Sequence, residues 1–165
     1  MGLRLRPVRP RRSKTRQAAV NAGFRSALEK GIADDLTSKG IPFTYEQETI
    51  IYVRPVRSGI CTDCGNKSVG KRSVYTPDFR LPGAVFVESK GRFTGTDRAK
   101  LASVRSQHPD LDLRLLFAQD NWTTKLHKQR YSEWATKHGF IWAVGKRIPD
   151  AWLPPDNGRT KDAAR

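Results

Sequence analysis

The sequence predicts an α/β fold, a mixed β-sheet flanked by helices. Three observations predict it. Phe24, Leu28, Ile32 and Leu36 recur every four residues, which marks one face of a helix. Runs such as FTYEQETIIYVR at 43–54, VFVESK at 85–90 and LRLLFA at 113–118 are aromatic, β-branched or apolar enough to be strands. Finally, the two kinds of segment follow one another in the order α-β-β-β-α-β-α-β.

The first helix is expected over Asn21–Lys39, capped by Asn21 and stopped by Gly40 with Pro42 just beyond. Glu29 lies at the margin of its apolar stripe, four residues after Arg25, with which a surface pair can form. The strand at 43–54 follows, then a Gly-, Ser- and Lys-containing loop at 55–73. A second strand is expected over Tyr75–Leu81, a turn at Leu81–Gly83, and a third strand over Val85–Lys90. Thr96 looks like the cap of a helix that runs for about ten residues toward Pro109. Leu113–Ala118 reads as a buried strand, Ser132–His138 as a short helix ended by Gly139, and residues 140–144 (FIWAV) as the last strand. No internal repeat is visible.

The chain has 165 residues, enough for one domain. Only 37% are apolar, so part of the chain is expected to lie outside the packed core. Thirty-one basic against sixteen acidic residues give a net charge of +15, which favours a polyanionic partner, nucleic acid first and an anionic membrane second. Residues 1–16 hold seven of the basic residues, two prolines and no acid, and are expected to form a disordered arm that lies along phosphates through Arg11, Arg12, Lys14 and Arg16. Residues 17–153 then form the folded domain, with an inserted loop at 57–73, and 154–165 a flexible tail. The longest apolar run, Phe140–Val144, is far too short to span a membrane, and the N-terminus has no apolar stretch of a secretory signal. A soluble cytoplasmic protein is expected.

The stretch YTPDFRLPGAVFVESKG at 75–91 carries the chemistry. Residues i and i+2 of a strand share a face, so Glu88 and Lys90 point the same way. The turn at 81–83 brings the strand that carries Asp78 alongside, so the two carboxylates converge. Neighbouring carboxylates repel unless a cation intervenes, and oxygen donors suit a hard ion, Mg²⁺ or Mn²⁺. Such an ion polarises a phosphate and activates water, and Lys90 would stabilise the developing charge or orient the water. A surface Glu–Lys pair is the bland alternative. Pro-Asp, a hairpin turn, an apolar strand and Glu-x-Lys in that order form the PD-(D/E)xK nuclease pattern.

With those residues in hand, the chain resembles the phage endonuclease I family of Holliday-junction resolvases. GFRSALE at 23–29, YTPDFRLPGAVFVESKGRF at 75–93, DRAKLASVRSQHPDLDLRLLF at 97–117, TKL at 124–126, KHGF at 137–140 and IPDAWL at 148–153 carry the resemblance. It implies a restriction-endonuclease-like core and Mg²⁺-dependent cutting of branched DNA, four-way junctions above all. It assigns the catalytic set to Glu29, Asp78, Glu88 and Lys90. It implies two ions per active site, held by Glu29, Asp78, Glu88 and the Ser89 backbone carbonyl. It also implies an intertwined homodimer in which the N-terminal helix of one chain completes the other's site. Two matched nicks in a four-way junction suit a two-fold axis. Ser89 replaces the threonine common in the family, and the loop at 57–73 is longer than the family pattern leads one to expect.

Cys61 and Cys64 resemble half a zinc knuckle. They supply two of the four ligands a structural zinc needs, so free thiols on a turn are the default and a shared or distantly completed zinc is the alternative. Arg92, Arg98, Lys100, Lys125, Lys128 and Arg130 flank the proposed site and together could line a phosphate groove, with ordinary solvated charge as the alternative for each; Arg25 is a further candidate DNA contact. Trp122, Trp134, Trp142 and Trp152 are expected mainly in the core or an interface, with base stacking as the functional alternative. The rival functions are a nicking nuclease of repair or restriction type, and a basic DNA-binding protein without catalysis.

Overall fold

The computed structural model describes residues 14–55 and 70–154. Five strands form one mixed sheet in the order β1 (Thr44–Tyr45), β4 (Phe79–Leu81), β5 (Val85–Lys90), β6 (Leu113–Phe117), β7 (Ile141–Val144). The first three are antiparallel neighbours, while β5, β6 and β7 run parallel. A separate hairpin pairs β2 (Ile50–Pro55) with β3 (Gly70–Tyr75).

Helices cover both faces of the five-stranded sheet, as expected. Alternation along β6 decides which face each residue serves. Leu113, Leu115 and Phe117 join Leu101 and Val104 of α3 (Gly95–Gln107) and Tyr131, Trp134 and Ala135 of α4 (Tyr131–Lys137) in one core. Leu116 points the other way, into a second core with Ile32, Ala33 and Leu36 of α2 (Ala27–Ser38) and with Phe79, Val87, Ile148 and Trp152. Trp134 and Trp152 are thus core residues, while Trp122 and Trp142 are each 37% exposed.

Several boundaries differ from expectation. The single helix over 21–39 is two: α1 (Lys14–Asn21) and α2. Asn21 ends α1 instead of capping the next helix, and Gly23 takes a left-handed φ of 84° at the break, a conformation glycine adopts without penalty. The cap of α2 is Ser26, whose hydroxyl accepts the Glu29 N–H while the Glu29 carboxylate accepts the Ser26 N–H, a reciprocal capping box. Because α1 starts at Lys14, the end of the supposed arm is helical; the side chains of Lys14 and Arg16, and Arg11 and Arg12 entirely, lie outside the described residues.

The strand expected over 43–54 divides between the two sheets, because Glu46 has φ 50° and turns the chain between β1 and β2. Tyr75–Leu81 divides likewise, Tyr75 ending β3 and Phe79 starting β4. Residues 70–73, read as loop, belong to β3; the rest of the inserted loop, with Cys61 and Cys64, lies outside the described residues, as does the tail beyond Pro154. Thr94, not Thr96, caps α3 with its own capping box to Asp97. His138 does sit at the C-terminal cap of α4.

The outer edge of β2 is closed by α3. The Gln107 side chain accepts from the Val53 N–H at 2.7 Å and donates to the Val53 carbonyl at 2.8 Å. Side-chain pairing of this kind protects an edge that would otherwise present unpaired backbone groups.

Candidate active site

The β4–β5 hairpin builds the site. Its register pairs Phe79 with Val87, and continuing that register by one residue sets Asp78 opposite Glu88. Both are nearly inaccessible to solvent, Asp78 at 7% and Glu88 at 2% exposure. Ser89, between Glu88 and Lys90, donates its N–H (2.7 Å) and its hydroxyl (2.8 Å) to Asp78 Oδ2. A threonine hydroxyl could make the same bond, so the Ser89 difference leaves this clamp intact.

Glu88 is held by three groups from three elements. Lys90 Nζ lies 2.7 Å from Oε1, as expected for i and i+2 on one strand face. Lys100 Nζ, from α3, lies 3.7 Å from the same oxygen and 4.8 Å from the Tyr75 ring centroid. The Tyr75 hydroxyl, from β3, donates to Oε2 at 2.7 Å. A buried carboxylate needs such partners, since unpaired charge in a low-dielectric interior is costly.

The electrostatics follow from this crowding. Burial, and then the neighbouring Glu88, push Asp78 up to about 7, against the opposing pull of Lys90 and the Ser89 bonds. Burial works to lower Lys90, but Glu88 and Asp78 outweigh it and Lys90 is raised. Tyr75 is raised well above its ordinary value by burial and by Glu88, so it stays a neutral donor.

The structure does not bring Glu29 into direct company with these acids. Its Oε2 accepts the Arg25 and Ser26 N–H groups at 2.9 and 3.2 Å and the Tyr45 hydroxyl at 2.6 Å, and its Oε1 accepts the Ser26 hydroxyl at 2.8 Å. Among the described residues no three His, Cys, Asp or Glu side chains lie close enough together to hold a metal ion. Glu46 stands between the two groups. Its N–H donates to the Asp78 carbonyl at 3.0 Å, and its carboxylate feels the charges of Arg25, Glu29, Glu88 and Lys90. Burial, first, raises it. The Arg25 side chain pairs with Glu46 at 2.9 Å, not with Glu29.

The other cations separate into two kinds. Arg98 donates to the Phe93 carbonyl at 2.8 Å and so braces the chain after β5. Arg92, Lys125 and Lys128 are exposed. Sequence reasoning missed Tyr75, Tyr45 and Glu46, and took Lys100 for a groove residue. Tyr75 opens the motif stretch and could have been read as a partner for one of its acids; nothing local marks Glu46.

The family model described as Phage endonuclease I matches residues 11–162. The chain belongs to the phage endonuclease I family. It is 37% identical over 151 residues to Endodeoxyribonuclease 1 of Enterobacteria phage T3, covering 86% of this chain and 89% of that protein. It is 40% identical over 133 residues to Endonuclease I of Escherichia phage T7, covering 79% of this chain and 78% of that protein. The matched region includes the described residues 14–55 and 70–154, and with them the β4–β5 hairpin, the helix that carries Glu29 and the α3 lysine.

Proposed function

We propose that this protein is a divalent-cation-dependent DNA endonuclease that nicks branched DNA and resolves four-way junctions, acting as a homodimer. The observation that carries the reading is the convergence of buried Asp78 and Glu88 across a hairpin, with Lys90 at 2.7 Å from Glu88. The names of the phage relatives support DNA as substrate, and a net charge of +15 suits a polyanion.

The donor set fits a hard cation. It offers carboxylate oxygens and no thiolate, and the crowding that raises Asp78 is what a bound cation would relieve. When bound, Mg²⁺ or Mn²⁺ would supply Lewis acidity toward the phosphate and lower the pKa of water. Asp78 and Glu88 would hold it, with the Ser89 carbonyl as a further oxygen donor and Glu29 serving a second ion.

The chain's own groups do the remaining work. Ser89 fixes the Asp78 carboxylate, and Tyr75 and Lys100 fix Glu88. Lys90 brings positive charge to where the phosphorus centre gathers negative charge during attack. Water attacks phosphorus in line and gives up a proton to solvent as the new P–O bond forms. The ester P–O bond on the opposite side breaks, and the departing sugar oxygen takes up a proton from solvent, leaving a phosphate and a hydroxyl at the nick. A two-fold dimer would present two such sites to the matched strands of a junction. If the N-terminal helices are exchanged, the α2 face that packs here on Phe79 and Val87 would make the same packing on the partner's sheet. Selection would rest on branch shape and backbone contacts.

The test is cleavage of a four-way junction and of matched duplex, with and without Mg²⁺. Junction-selective, Mg²⁺-dependent nicking is expected. Asp78→Ala and Glu88→Ala should each abolish cutting while junction binding survives; full activity in either refutes the site. Equal cutting of duplex would instead indicate a nicking nuclease of repair or restriction type, and binding without any cutting a non-catalytic DNA-binding protein.

A further inference from the structure

Residues 121–130 form a small, internally braced finger. Trp122 and Arg130 pair as an antiparallel bridge, and the Thr123 N–H donates to the Gln129 carbonyl at 2.8 Å. The Arg130 guanidinium lies 4.2 Å from the Trp122 ring centroid, and the His127 ring stacks on the same indole at 5.2 Å. At the tip, His127 takes φ 50° and donates its N–H to the Thr124 carbonyl at 3.2 Å. A non-glycine residue in that region is held there by its surroundings.

This bracing leaves Leu126 standing out. It is 73% exposed, more than any other large hydrophobic residue described, and exposed Lys125 and Lys128 flank it. A lone exposed leucine needs no explanation on an ordinary surface. Here it crowns a stiffened loop between cations, in a chain of net charge +15.

The finger is also tied to the site at both ends. Ala118, just before it, donates its N–H to the carbonyl of Lys90 at 2.9 Å. Tyr131, just after it, receives the Phe93 N–H on its hydroxyl at 3.1 Å. Both anchors belong to the segment that continues from the Glu88–Lys90 strand. The loop therefore projects from the same end of the sheet as the acids.

We propose that the 121–130 finger is a branch-reading element: Lys125 and Lys128 seat on phosphates, and Leu126 inserts as an apolar wedge between base pairs that are already unstacked at the junction. Intact duplex must first be unstacked at a cost of a few kcal/mol per step, whereas a branch point offers the gap without that cost, so a wedge converts backbone binding into preference for branched DNA. Trp122, held between Arg130 and His127, serves as the brace. This rests on the branched-DNA reading above.

The experiment measures affinity for a four-way junction and for matched duplex in chelator, so that the proposed metal-dependent cutting does not proceed, with 2-aminopurine placed next to the branch point. Leu126→Ser should lower the junction-to-duplex preference about tenfold and abolish the 2-aminopurine fluorescence rise on binding. Leu126→Phe should keep both. Lys125→Gln with Lys128→Gln should weaken both substrates alike and reduce the salt slope by about two. Junction preference and fluorescence unchanged in Leu126→Ser would overturn the wedge alone. Equal affinity of the unmodified protein for junction and duplex would overturn the branched-DNA reading and the wedge with it.

Discussion

Replacing Asp78 with asparagine should make the cation-free protein more stable at alkaline pH and no more stable at acidic pH. Asp78 is 7% exposed, and burial followed by Glu88 raises its pKa from 3.8 to about 7. The folded state therefore binds this proton more tightly than the unfolded chain does. Its stabilising protonation is complete below about pH 4 and is lost as pH rises through about 7. A difference of about 3 units at 1.36 kcal/mol each makes the cost at pH 8 up to about 4 kcal/mol, or on the order of 10 °C in melting temperature for a chain of this size. Asparagine keeps an oxygen acceptor for the Ser89 N–H and hydroxyl and removes the charge. Urea unfolding of both proteins in chelator at pH 4.5 and pH 8 reads Asp78 and the charges coupled to it, because titrating groups away from the site cancel in the difference. The variant's advantage should be full at pH 8 and mostly gone at pH 4.5. Adding Mg²⁺ at pH 8 should then stabilise the wild type and leave the variant nearly unmoved. An advantage that does not change with pH would refute the crowded-carboxylate account.

Three further outcomes follow from named contacts. Tyr75→Phe removes a 2.7 Å bond to a buried carboxylate and should cost about 1.5–3 kcal/mol in chemical denaturation. Ser26→Ala breaks the α2 capping box and should cost about 1 kcal/mol, with Ser26→Asp recovering most of it by the same measurement. Lys90→Met leaves Glu88 with Lys100 at 3.7 Å as its one remaining cation among the described residues and should destabilise by about 3–5 kcal/mol in the same assay, a loss that a mere surface pair would not show.

Much of the site was legible because its parts are local. Glu88 and Lys90 share a face by strand alternation, and Leu81-Pro82-Gly83 marks the reversal that returns Asp78 to them. The second half of the four-residue stripe, Ile32 and Leu36, lies on the buried face of α2, and Leu28 and Phe24 pack against the same core. The Ser26-x-x-Glu29 capping box was written in the sequence too, but the continuous stripe from Phe24 hid the break before it. The division of residues 43–54 had no such signal. β1 and β2 differ in partners, not in residue type, and the turn between them rests on a glutamate in a conformation that residue seldom takes.

The sequence by itself determined the hairpin, the identity of its acids, the helix face that packs on the sheet and the excess of positive charge. These follow from spacing, turn chemistry and counting. Tertiary structure decided what surrounds the acids. Tyr75 comes from β3 and Lys100 from α3, and Glu46 is hung on the Asp78 carbonyl from the far side of the sheet edge. A carboxylate's charge state depends on how much water is excluded and on which charges stand within a few ångströms, and those are properties of chain segments brought together from a distance.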